Sequence, residues 1–567
     1  MGGFFLKKSK VIGLASLALF STIVLAACGG NKDNSSTDSG SKTSNSGELA
    51  EKQELNLIES AEIPTMDSVL NTDAVGSIVM NNVFEGLYRK GLDGENVLGM
   101  AKEEPTVSED GLTYTFKLRE DATWSNGDAV TANDFVFAWQ RVVNPETAAQ
   151  YSYMMSGIIE NASEISKGEK PVTDLGIKAI DATTLEVKLA AAVPYFKDLL
   201  SLTMYMPQNE KYVTEKGEDF AKNSENLVYN GPFELTDWDG TGLSWSYKKN
   251  DSYWDKKAVK LDRINVDVVK ETGTALNLYD SGDIDQMKLS GEYVQTRDGD
   301  PDLISIPTSS VFYLKYNQKR GDKDTALANE NIRKAISMAF DKQAYSDTVL
   351  QNGSIPADGL VPEGLAKDPE NGEDFRKENG NLLSYNQKEA KKLWEKGLKE
   401  IGTDKVTLEM LSDDTENAKR SLEFMQNQLQ ENLPGLTIKL KNVPFKVRVQ
   451  LNNQMDYDIQ VAGWGADYPD PINYLELFGT DNNNNRSHYS NAEYDQLLTE
   501  IGTTSLADPE KRWDQMLEAE KILMKTAGIG PMYQRYNAVL QKPYIKDLAR
   551  QIVGPEYSYK WAYVEKH

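Results

Sequence analysis

Apolar and polar residues alternate in several stretches of the chain, and each such stretch reads as a half-buried strand. Tyr114, Phe116 and Leu118 alternate with Thr115 and Lys117; Leu185, Val187 and Leu189 repeat the pattern, as do Leu243, Trp245 and Tyr247. Elsewhere the period is that of a helix. Ile332, Ala335, Ile336, Ala339 and Phe340 fall at i, i+3, i+4, i+7 and i+8, one apolar face. A second helix is predicted from about Ala418 to Leu433, followed by Gly435 and a strand through Ile438 and Leu440. Thr131 and Asp134 have the spacing of a capping box, with Asp in the usual place of Glu, and open a helix through Phe135, Ala138 and Trp139. Asp458-Ile459-Gln460-Val461-Ala462 reads as a buried strand. No internal repeat of about 20–50 residues is present, so α/β lobes are predicted. At 567 residues the chain exceeds a single core, and two to four lobes are expected.

The N-terminus departs from this pattern. Lys7, Lys8 and Lys10 precede an apolar run from Val11 to Ala27, which ends in Leu25-Ala26-Ala27-Cys28 at the chain's only cysteine. Basic, apolar and small segments in that order form a secretory signal, and the final four residues resemble a bacterial lipobox. The resemblance implies a signal peptide of residues 1–27, a diacylglycerol on the Cys28 thiol, and anchoring at the outer face of the bacterial cell membrane. Gly29 to Gly47 are nearly all Gly, Ser, Thr, Asn, Asp and Lys, too polar to offset the entropy of ordering. Residues 28–50 therefore read as a lipidated cysteine and a flexible tether, whose flexible part spans roughly 20–25 Å. No later run is apolar over the ~18 residues of a membrane helix. The remainder is expected to be soluble and, with Cys28 used, free of disulfides.

Composition narrows the function. A net charge of −25 argues against nucleic acid or anionic lipid as partners. Twenty-seven tyrosines and nine tryptophans suit a cleft for an extended ligand. Catalytic chemistry is poorly supplied. His488 and His567 are the only histidines, which leaves no Ser-His-Asp triad, Cys-His pair or histidine zinc site. Ser246-Tyr247-Lys248-Lys249 satisfies S-x-x-K but lies in a strand pattern. Neither an enzyme, a metal site nor a cofactor is expected; binding is.

Several motifs then point one way. Thr113–Arg119, Trp124-Ser125-Asn126-Gly127-Asp128, Thr131–Trp139, Asn230-Gly231-Pro232-Phe233, Ser252-Tyr253-Trp254 and Gly463-Trp464-Gly465-Ala466-Asp467-Tyr468-Pro469-Asp470-Pro471 occur in this order. They resemble the extracellular solute-binding proteins of family 5, the oligopeptide- and dipeptide-binding lipoproteins of ABC importers, over about Leu55 to the C-terminus. The resemblance implies a periplasmic-binding-protein-like (type II) venus flytrap of three lobes, with an open cleft between lobes I and III. Lobe I would take 51–84, 225–312 and 534–567, lobe II 85–224, and lobe III 313–533. The partners it implies are an oligopeptide and ABC permease subunits, and a monomer is expected.

Family members hold peptides as an added strand. On this resemblance Thr72, Asp73 and Ala74 would offer backbone partners, and Tyr151, Tyr153, Trp464 and Tyr533 would line side-chain pockets. Asp467 would take the peptide's α-ammonium. It follows a predicted buried strand, where α/β sheets place ligands, and an unpaired buried carboxylate needs a cation. The alternative is an internal Arg or Lys partner. Enterobacterial members carry an Arg three residues before the motif's Trp for the peptide's carboxylate, and Val461 stands there instead. No clamp on the C-terminus is therefore expected, unless a residue such as Arg535 or Lys342 supplies it, and longer peptides with a loosely held end become admissible. Other cargoes remain open: a signalling peptide uses the same machine, whereas metal or haem is disfavoured by two histidines, sixteen methionines leaving a small opening.

Overall fold

The computed structural model describes residues 48–567. The signal sequence, Cys28 and the tether up to residue 47 lie outside the described residues. The alternating stretches supply three main sheets. In the first, Glu54–Glu59 runs parallel to Arg263–Val268, which continues antiparallel to Ser244–Lys249 and then Phe233–Thr236. One sheet thus joins the start of the described chain to residues two hundred positions later. Ser246 and Lys249 are three apart on a strand and so face opposite sides; the S-x-x-K spacing has no shared face here.

The second sheet is antiparallel, in the order Thr106–Val107, Thr113–Lys117, Thr184–Lys188 and Ile177–Asp181. The helix Ala132–Val143 accompanies it, with Phe135, Ala138, Trp139 and Val142 buried. The carboxylate of Asp134 accepts the Thr131 N–H at 2.8 Å, so the capping box forms with Asp in place of Glu.

The third sheet has seven strands. Its order is Gln286–Leu289, Ile529–Gln541, Leu303–Tyr316, Ile459–Trp464, Val406–Asp413 and Leu436–Val443, and the short strand Ile355–Pro356 also pairs with Ile529–Gln541. Helices Glu330–Met338, Gln387–Ile401 and Glu416–Asn432 start at side-chain caps on Asn329, Asn386 and Thr415. They bury Ile332, Trp394 and Leu422 in one core with Leu314 and Ile459. The two long strands are antiparallel, with register shifts between Pro307 and Val311 and between Phe312 and Tyr313. The lobe boundaries expected at 312/313 and 533/534 would fall inside them, where Phe312 is paired with Tyr533. No helix among the described residues is long and apolar enough to cross a membrane.

Candidate functional site

A cavity of about 580 Å³ opens beside the inner strands of the third sheet, within the ~300–1,000 Å³ of small-ligand clefts. Its origin is a gap in pairing. Val406–Asp413 pairs with Leu436–Val443 along its whole length, but with Ile459–Trp464 only at Met410↔Ile459 and Leu411↔Gln460. Beyond that point the strands part, and Ser412, Asp413 and Val461–Asp467 line the cavity. The edge of residues 461–464 that faces away from Leu303–Tyr316 therefore carries no ladder, and an unpaired edge is a template for another extended chain. Thr72, Asp73 and Ala74 line the same cavity. The N–H and C=O of Thr72 have no hydrogen-bond partner among the described residues. Asp73 caps the helix Ala74–Val83 by accepting the Gly76 N–H at 2.8 Å, and burial pushes its carboxyl up to about 6.

Asp467 sits just past the end of Ile459–Trp464. Its N–H donates to Asn473 Oδ1 at 2.9 Å, and the Trp464 indole N–H donates to the same oxygen at 3.1 Å. The Asn473 amide is 3.5 Å from Asp467 Oδ2. Ser309 fixes the loop from the neighbouring strand, its Oγ accepting the Ala466 N–H at 3.0 Å and its carbonyl accepting the Tyr474 hydroxyl. Asp467 forms none of the ion pairs found among the described residues, whereas Asp470, three residues on, is held by Arg512 at 2.8 and 3.0 Å. The internal-partner alternative is thereby removed. Burial without a cation pushes the Asp467 carboxyl up to about 7, against one weak opposing hydrogen bond from Asn473.

The aromatic residues divide. Tyr151, Trp464 and Tyr533 line the cavity; Tyr151 meets Trp464 edge-on at 6.1 Å, and Tyr533 lies flat on Phe312 at 4.8 Å. Tyr153 is absent from the wall. It packs on Tyr151 at 5.9 Å, and its hydroxyl is buried without a partner. Asn473 and Phe312 were not legible as site residues.

The two cations named as substitutes for the position of Val461 divide. Lys342 is engaged elsewhere, its ammonium 2.9 Å from both Asp358 Oδ1 and the Ala357 carbonyl. Yet Lys315, Arg448, Arg486 and Arg535 all line the cavity. Cations thus reach the ligand space from positions outside the motif, Arg535 as allowed for by the sequence and three others not. At the rim, Lys270 joins Asp414 at 2.7 Å and Glu62 at 3.7 Å, the Thr272 N–H donates to Glu416 at 2.9 Å, and the Lys446 N–H donates to Glu62 at 3.1 Å. Apart from Lys270–Glu62, these contacts join segments assigned by sequence to lobe I with segments assigned to lobe III.

The profile of "Bacterial extracellular solute-binding proteins, family 5 Middle" matches residues 95–486. A dipeptide-binding protein of Lactococcus lactis is 35% identical, covering 99% of this chain and 100% of its own. The structure titled Listeria monocytogenes OppA bound to peptide superposes with a TM-score of 0.89 at 52% identity, covering 91% of this chain and 100% of that one. That of the pheromone receptor PrgZ gives 0.86 at 37% identity, with coverage of 91% and 100%.

Proposed function

The chain belongs to the bacterial extracellular solute-binding proteins of family 5, and from that premise we propose that it captures extended peptides by their free N-terminus and passes them to the permease of an ABC importer. Asp467 carries this reading. A half-buried carboxylate with no cation of its own, beside an open strand edge, is complementary to an α-ammonium followed by a peptide backbone. Backbone pairing gives affinity without reading side chains, and Tyr151, Trp464 and Tyr533 supply apolar walls. Thr72, with its backbone groups unfilled, serves as a second strand-like partner, Asp73 and Ala74 extending it. Calorimetry with tetra-alanine and its N-acetyl derivative tests the assignment. The free amine is expected to bind at least about 30-fold more tightly, the lower end of cutting a desolvated charge pair on one side; equal affinities would refute it.

The same reading holds the protein at the outer face of the bacterial membrane, as a monomer anchored through a lipid on Cys28. The Leu25-Ala26-Ala27-Cys28 ending and the polar tether support it. Likeness to a pheromone receptor favours a second reading, in which the cargo is one signalling peptide. A panel of unrelated peptides separates the two. Affinities within about tenfold of one another support nutritional uptake, and a single peptide standing about a hundredfold apart supports signalling.

A further inference from the structure

An uncharged side chain organises the ammonium end of the cleft. Asn473 is fully buried, in the short helix Ile472–Leu475 that follows Pro471. Its backbone N–H donates to the Asp470 carbonyl at 3.1 Å, and the Asp470 carboxylate is fixed in turn by Arg512 at 2.8 and 3.0 Å. The side chain then reaches two other segments. Its Oδ1 accepts the Asp467 N–H at 2.9 Å and the Trp464 indole N–H at 3.1 Å. Both groups are donors without acceptor capacity, so the amide oxygen has to face them and the amide nitrogen the opposite side. That nitrogen lies 3.5 Å from Asp467 Oδ2.

Among the described residues no other group donates to the Asp467 carboxylate, and its Oδ1 has no partner there. The titratable neighbours are engaged elsewhere or bring no positive charge. The Tyr474 hydroxyl donates to the Ser309 carbonyl, and the Tyr468 hydroxyl to Glu476 at 2.9 Å. Glu476 is itself an acid, pushed up to about 8 by burial. Asp470 is satisfied by Arg512. Tyr151 and Tyr153, from Gln150–Met154, feel the charge of Asp467 without a hydrogen bond to it. A bond to an ionised acceptor is roughly twice as strong as a neutral one, so a lone donor has a large say in where this carboxylate points. The same amide also fixes Trp464, which meets Tyr151 edge-on in the cavity wall. Strand end, acid and aromatic wall thus share one anchor.

We propose that Asn473 is a positioning residue for capture of the peptide N-terminus: it engages one oxygen of Asp467, leaves the other for the ligand, and locks that carboxylate to the Trp464 wall. The inference rests on the ammonium reading of the cleft and deepens it, because the preference for a free amine then depends on an uncharged residue as well as on the acid. The chemistry calls for an amide. An acid at this position accepts both N–H groups but sets a second negative charge against Asp467. An apolar side chain of similar size neither accepts nor donates.

Calorimetry with Ala-Ala-Ala-Ala and its N-acetyl derivative tests the role through the ratio of their affinities, which a general loss of structure leaves unchanged. Asn473→Leu should shrink the wild-type ratio about tenfold, the scale of one hydrogen bond to a charged group. The pH below which free-amine binding weakens should also move up from about 7, because a carboxyl without its donor holds its proton more tightly. In an Asp467→Asn background, where the ratio is already lost, adding Asn473→Leu should change it no further, the non-additivity of a residue that acts through another. Should the leucine variant fail to fold, Asn473→Ser, too short to reach Oδ2, is read in the same way. A full ratio and an unmoved pH dependence in the folded variant overturn the role of Asn473 and leave the ammonium reading standing. So does a ratio that shrinks equally with and without the Asp467 carboxylate. A wild type that binds both peptides alike overturns both.

Discussion

Replacing Asp467 by Asn should make the empty protein more stable and the loaded protein weaker, opposite movements that few binding residues produce together. The substitution keeps shape, and the new amide can present its oxygen to Asn473. What it removes is a half-buried, poorly solvated negative charge without a cation. The folded carboxyl titrates near 7 against an ordinary 3.8. At about 1.36 kcal/mol per pH unit, that gap is worth at most about 4 kcal/mol. Its sign is fixed by proton linkage. Between pH 3.8 and 7 the folded protein binds more protons at this position than the unfolded chain. Wild-type stability therefore falls relative to Asp467→Asn as pH rises through that window, and the full deficit is present above it. Below pH 3.8 both states are protonated and the two proteins should differ little. Urea denaturation of ligand-free protein at pH 4 and pH 8 reads the difference. Affinity for a free-amine peptide should meanwhile drop by about 2–5 kcal/mol, or 30- to 4,000-fold. If Asp467→Asn is less stable than wild type at pH 8 and binds the peptide unchanged, the carboxylate is a structural group and the reasoning fails.

Three further outcomes are expected. Peptide affinity should fall by up to tenfold per pH unit below about pH 7, because a proton competes with the ammonium for Asp467; calorimetry in buffers of different ionisation enthalpy should show proton release on binding at pH 6, and none in Asp467→Asn from this group. Lys270→Met, which cuts the rim contacts to Asp414 and Glu62, should speed peptide release a few-fold by stopped flow, about 0.5–1 kcal/mol for a partly exposed ion pair; an unchanged release rate would remove the rim from the closing mechanism. Cys28→Ser should abolish lipid attachment and shift the protein to the aqueous phase of a detergent separation, whereas wild type already found there without an N-terminal lipid by mass would exclude the anchor.

Much of the framework was legible because it is local. The capping-box spacing of Thr131 and Asp134 fixed a helix start, and the alternation of Tyr114, Phe116 and Leu118 fixed a strand. The helix through Ile332 ends at Met338, short of the Ala339 and Phe340 that continue its pattern, which remain buried beyond its end. Asp467 was singled out by the family motif, with its place just after a strand in support. Tyr153 could not be assigned correctly. The resemblance paired it with Tyr151, but Gln150–Met154 is a 3-10 helix of about three residues per turn, which turns Tyr153 away from the side that Tyr151 presents. Lys315, Arg448 and Arg486 were missed for a different reason. Arg486 follows the run Asn482–Asn485, which has no hydrophobic period, and Lys315 reaches the cavity only because two strands distant in sequence part after Gln460. Sheet order and its gaps are long-range properties, and no window of sequence contains them.

The central claim is that the cleft selects a free peptide N-terminus. Native mass spectrometry tests it directly on protein mixed with equal amounts of a protein digest and the same digest acetylated at its amines. Complexes are expected whose released ligands are peptides with a free α-amine, the acetylated set remaining unbound. Equal capture of both sets, or capture of neither, would contradict it.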